Sequence, residues 1–78
     1  MMELISYKTN IKNENALQRV TPFLNRAVGS ANWQLDLESS DRKLTVFSPG
    51  IINEIHVEDA IHKAGFRALN LDEYYSIY

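Results

Sequence analysis

The sequence predicts an α+β fold in which two helices pack on one face of an antiparallel sheet. Apolar residues alternate in some stretches and recur at helical spacing in others, in the order strand, helix, strand, strand, helix, strand. Two glycine-terminated helix ends, "NRAVG" and "HKAG", echo each other about one βαβ unit apart. Short polar breaks separate the elements, with no linker or low-complexity segment between them.

The first strand is "ELISYK", with Ile5 and Tyr7 on one face. The polar, turn-prone "TNIKNEN" follows. From Asn15 onward, Leu17, Val20, Leu24 and Ala27/Val28 recur at helical spacing. Asn15 and Gln18 read as a capping box, and Gly29 as the C-terminal stop. Pro22 conflicts with a continuous helix, because it removes a hydrogen bond and costs roughly 3 kcal/mol. A shorter helix capped by Thr21 and opened by Pro22 is the alternative. The apolar spacing runs through the proline, which favours one kinked helix.

"NWQLDLE" alternates, with Trp33, Leu35 and Leu37 on one side and Gln34, Asp36 and Glu38 on the other, as in a half-buried strand. "SSDRK" reads as a hairpin turn and "LTVF" as the return strand, with Leu44 and Val46 inward. "SPG" breaks the chain. A second helix starts at about Asn53, buries Val57, Ala60, Ile61 and Ala64, and ends at Gly65. "FRALNL" is the last strand and "DEYYSIY" an aromatic tail. Two split βαβ units in this order make a ferredoxin-like βαββαβ sandwich with a four-stranded antiparallel sheet.

The 78 residues predict a single domain over 1–78, with a core from about 3 to 71 and a tail over 72–78. A chain this short buries only about 60–65% of its unfolded surface. A net charge of −2 without a Lys/Arg block argues against a nucleic-acid partner. No apolar run approaches spanning length, so no membrane association is expected and the cytoplasm is the default location. The cysteine count is zero, which excludes disulfides, thiolate metal sites and cysteine nucleophiles.

From about Glu3 to Leu71 the chain resembles a heavy-metal-associated domain, the fold of copper chaperones and of the N-terminal modules of metal-transporting ATPases. The resemblance is carried by "TNI" at the first loop, the helix "ALQRVTPFL", "VG" leading into "WQLDL", then "KLTV" and "EDAIHKAGF". It implies a Cys-x-x-Cys metal site across the first loop and the start of the first helix. Counted back from the helix without a gap, those positions fall on Asn13 and Ala16 in "NENA". The neighbouring loop residue is Phe66, where many relatives carry Tyr or Lys.

Soft ions such as Cu(I) need thiolates, and an amide and a methyl group supply neither the charge nor the softness. Asn13 or Asn15 instead suits the free N–H groups of the helix start, with Glu14 at the positive end of the dipole. Tight soft-metal binding and a bound cofactor are therefore not expected. His56 and His62 stand six apart on the second helix, on different faces, whereas a two-histidine helical site needs i, i+4 spacing. Met1 and Met2 lie at a fraying end, and Glu14 is one carboxylate where a hard cation needs several. Ser39, Ser40 and Asp41 fall in a turn with no base placed beside them, and no glycine-rich phosphate loop exists, so no enzyme is predicted.

Two features suggest a protein partner or a homodimer. Arg19 and Arg26 lie two turns apart on one face of the first helix, while the second helix carries Glu54, Glu58 and Asp59 against Lys63. The stripes serve either docking to a complementary surface or attraction to each other. The open face of the sheet should carry Phe47 and Thr45, and Tyr74, Tyr75, Ile77 and Tyr78 follow the last strand. This tail covers its own sheet or meets a second copy. The expected function is that of a small non-enzymatic heavy-metal-associated-like module that has lost thiolate metal binding and acts in protein interaction or regulation. The alternative is a metal carrier with unconventional ligands.

Overall fold

The structure is a computed structural model and describes residues 3–50 and 52–71. The elements are β1 (Glu3–Thr9), α1 (Glu14–Val28), β2 (Trp33–Leu35), β3 (Leu44–Ser48), α2 (Glu54–Lys63) and β4 (Ala68–Asn70). The strands form one four-stranded sheet in the order β2-β3-β1-β4, with every neighbouring pair antiparallel. This is the βαββαβ arrangement that the element order predicts.

Strand alternation decides which side chains meet the helices. In register, Tyr7 faces Leu44, Ile5 faces Val46 and Thr9 faces Ala68. Of these, Tyr7, Leu44, Val46, Thr9 and Ala68 are buried and Ile5 is half-buried. Val20 and Leu24, one turn apart on α1, and Val57, Ala60 and Ile61 on α2 close over them. Trp33 and Leu35 pack at the edge of this cluster, and the Trp33 indole Nε1 donates to Asn25 Oδ1 at 2.8 Å, tying β2 to α1. The alternate set, which includes Leu4, Phe47 and Leu69, points to the other side of the sheet.

Helix α1 runs through Pro22, so the shorter helix opening at that proline is not formed. Pro22 and Gln18 are both exposed, so the Gln18 carbonyl that loses its donor lies on the wet side of the helix. Thr21 Oγ1 donates to the Leu17 carbonyl at 2.7 Å in the adjoining turn. Both helices stop beside a glycine with positive φ, Gly29 and Gly65, each at 94°, a backbone that a side chain would disfavour.

Three boundaries differ from the sequence-based expectation. The N-cap of α1 is Asn13 rather than Asn15, so the capping box with Gln18 does not form. Strand β2 covers three residues rather than the whole of "NWQLDLE". Asp36 ends it by turning the chain: its Oδ1 accepts from Glu38 N and its carbonyl accepts from Ser39 Oγ. The alternation of Leu37 and Glu38 is therefore a turn's pattern, although Leu37 still packs on the core. Strand β4 starts at Ala68 because the two preceding N–H groups are used elsewhere, Phe66 N by the Ile61 carbonyl and Arg67 N by Asn10 Oδ1.

Leu24→Ala should destabilise the protein by about 2–5 kcal/mol in urea unfolding, since the side chain is fully enclosed. Ile55→Ala, at a position 77% exposed, should stay within about 0.5 kcal/mol of the parent.

Candidate functional site

The loop between β1 and α1 is held from three sides. Thr9 Oγ1 donates to the Arg42 carbonyl at 2.6 Å and accepts from Ile11 N at 3.3 Å. Thr9 N donates to the Asp41 carbonyl at 2.9 Å, which fixes the loop to the β2–β3 turn. Ile11 is fully buried and anchors the loop in the core. Asn10 Oδ1 accepts from Arg67 N at 2.8 Å, which draws the segment carrying Phe66 and Arg67 against the same loop.

Asn13 ends the loop in extended geometry (φ −152°, ψ 177°) and its Oδ1 accepts from Ala16 N at 2.9 Å. Its carbonyl accepts from Leu17 N, the first intrahelical bond. Asn13 and Ala16 are thus N-cap and N3 of α1, joined to each other by a hydrogen bond. Glu14 follows in the first turn, where its charge suits the helix dipole. Phe66 is half-buried against the core and, with Asn10, lines one recess beside α2 and β4.

Arg19 and Arg26 are both exposed on α1 and flank the half-buried Phe23 along one face. Among the described residues the ion pairs are Lys8–Asp41 at 3.8 Å and Lys63–Asp59 at 3.0 Å, so neither arginine is paired with α2. Two of the three acidic residues of α2 are engaged, Asp59 by Lys63 on the same helix and Glu54 by Asn70 Nδ2 of β4 at 2.8 Å, while Glu58 lines the recess that holds Phe66. Phe23, Arg26 and Ala27 of α1 form one wall of a shallow groove, and His56, Asp59, Ala60 and Lys63 of α2 the other. His56 and His62 are exposed; His62 lies in the recess with Phe66, away from that groove. Phe47 is half-buried on the open sheet face, far in the topology from Asn13. Tyr74, Tyr75 and Tyr78 lie outside the described residues.

The loop's organisers, Thr9, Asn10 and Ile11, are missing from the sequence-based set. Their signal is a Thr-Asn pair directly after a strand, since both side chains bond to backbone at chain reversals. Partner N–H groups as distant as that of Arg67 are set by the fold alone.

The class that this architecture defines is the ferredoxin-like sandwich. Among solved structures, the apo form of the heavy-metal-associated (HMA) domain of a copper chaperone for superoxide dismutase is similar to it, superposing with a TM-score of 0.60. The match covers 90% of this chain and 67% of that one at 15% identity, a likeness of fold. No protein-family model and no curated protein matches the sequence.

Among the described residues, the start of α1 and the loop before it offer no side chain that fits a soft metal ion. The chain has no cysteine, the Asn13 amide oxygen is already bonded to Ala16 N, and Ala16 offers no donor atom. Among the described residues, no three His, Asp or Glu side chains gather as a metal site, and no helix is long and apolar enough to cross a membrane.

Asn13→Ala should cost about 1 kcal/mol in chemical unfolding through loss of the cap, whereas Asn13→Asp should keep that stability.

Proposed function

We propose that this chain is a small cytoplasmic, non-enzymatic module that uses an HMA-type frame, over one domain of about residues 3–71, for protein contact rather than thiolate metal transfer. The observation that carries this reading is the hydrogen bond from Ala16 N to Asn13 Oδ1. It closes the helix start with an amide at the two positions where counting along the fold puts sulfur ligands.

The contact surface in this reading is the α1 side of the interhelical groove. Arg19 and Arg26 form no ion pair among the described residues, so their charge is available to a partner. Exposed cations of this kind govern encounter rate and orientation more than final affinity. Phe23, between them, supplies apolar area at the centre of the stripe. The complementary partner is a protein surface bearing carboxylates around an apolar side chain. The Phe47 face and the segment with Tyr74, Tyr75 and Tyr78 are the second candidate surface, for a partner or a second copy.

Competition titrations with Cu(I), Zn²⁺ and Ni²⁺ test the metal half. The natural chain should lose each ion to a weak chelator, while Asn13→Cys/Ala16→Cys should hold Cu(I), because two thiols at a helix N-terminus restore a soft site. Stoichiometric metal on the natural chain would instead favour the carrier with unconventional ligands. The contact half predicts that Arg19→Glu/Arg26→Glu loses a partner captured by the natural chain, with an unchanged circular dichroism spectrum. Retained capture by this variant would remove the α1 stripe from the interface.

A further inference from the structure

One edge of the sheet is β4, and a recess of about 710 Å³ runs beside it. Phe66, Arg67, Ala68 and Leu69 form the near wall, and Glu58 and His62, one turn apart on α2, form the far one. The backbone of this edge has a defined orientation. Thr9 N donates to the Asp41 carbonyl on the β3 side, so the neighbouring Lys8 turns its N–H and C=O toward β4. Lys8 is registered opposite Leu69, and Arg67 N donates to Asn10 Oδ1 just beyond β1. Arg67 and Leu69 therefore direct their backbone groups inward, and Ala68 between them directs its N–H and C=O away from the sheet. Among the described residues neither group of Ala68 has a hydrogen-bond partner.

A strand edge that opens into a groove beside a helix is a template for another strand. We propose that β4 binds an extended segment of a partner protein by strand addition, and that in this segment carboxylates alternate with apolar side chains. The alternation follows from the two sides of the edge. On the helix-free side stand Arg67 and Leu69, the latter 54% exposed, with Lys8 beside Leu69 on β1. Arg67 is exposed and forms no ion pair among the described residues, whereas Lys8 is shared with Asp41 at 3.8 Å. A carboxylate beside Arg67 is thereby favoured. On the helix side Phe66 and Glu58 are half-buried and Ala68 is buried. An apolar side chain fits over Phe66, while a carboxylate there would be repelled by Glu58. A second copy of β4 is a poorer occupant, since antiparallel pairing at Ala68 would bring another Arg67 to the same side. The site shares no residue with the α1 stripe, so the two are tested separately.

Amide NMR on the intact natural chain tests the proposal, with two end-blocked peptides as probes, Glu-Val-Glu-Val-Glu and Lys-Val-Lys-Val-Lys. The acidic peptide should move the signals of Ala68, Leu69 and His62 saturably and leave those of α1 in place. It should also slow hydrogen exchange at the Ala68 amide by about tenfold or more. The basic peptide should do none of this. Arg67→Glu should reverse the preference and keep the fold, because the bond from Arg67 to Asn10 is made by its backbone. No movement with either peptide, movement of α1 instead, or a preference unchanged by Arg67→Glu would overturn the proposal. So would an Ala68 amide already protected in the peptide-free chain, or signals of β4 that move on dilution, because the edge is then occupied within the chain or by a second copy.

Discussion

Neither helix would persist alone. α2 has ten residues and α1 carries a proline in its interior, and isolated helices of such lengths are marginal in water even with favourable sequences. What holds them is the layer of side chains between helix and sheet, where Tyr7, Leu44 and Val46 meet Val20, Leu24, Val57 and Ile61 with no exposed surface left on any of them. Each such side chain contributes roughly 1.5–3 kcal/mol when removed from water. Every other feature is arranged around this layer. The caps at Asn13 and Asn53 set where the helices begin, and Gly29 and Gly65 turn the chain back toward the sheet.

The same layer explains how much of the fold is legible in the sequence. Val57, Ala60, Ile61 and the pair Leu44/Val46 announce themselves by spacing alone, and the structure buries each of them. The whole course of α1 is legible for the same reason, since the gain from burying Val20 and Leu24 on either side of Pro22 outweighs one lost hydrogen bond on a wet face. Boundaries are less legible because they depend on competition among hydrogen-bond acceptors. Asn13 and Asn15 are the same residue type two positions apart, and the buried Ile11 pulls the loop in so that the earlier one caps. At Asp36 a carboxylate takes the N–H of Glu38 and ends a strand that hydrophobic alternation would continue.

The candidate site divides along the same line. That Asn13 and Ala16 sit at a helix start follows from local sequence. That the loop before them is bonded to Asp41, Arg42 and Arg67 does not, because those partners are remote in the chain. The charges on α1 and α2 were readable as two stripes, but their pairing was not. Asp59 bonds one turn along its own helix to Lys63, which leaves Arg26 unpaired across the groove among the described residues.

The amide that closes α1 has a consequence for how such a chain would behave in a cell. Where a domain's first loop is organised by an ion, its folded fraction follows the supply of that ion, because binding free energy is folding free energy. Here Asn13, Thr9 and Asn10 complete the loop with groups that the polypeptide carries itself. The closure of the first helix thereby draws on groups within the polypeptide and not on a dissolved ion.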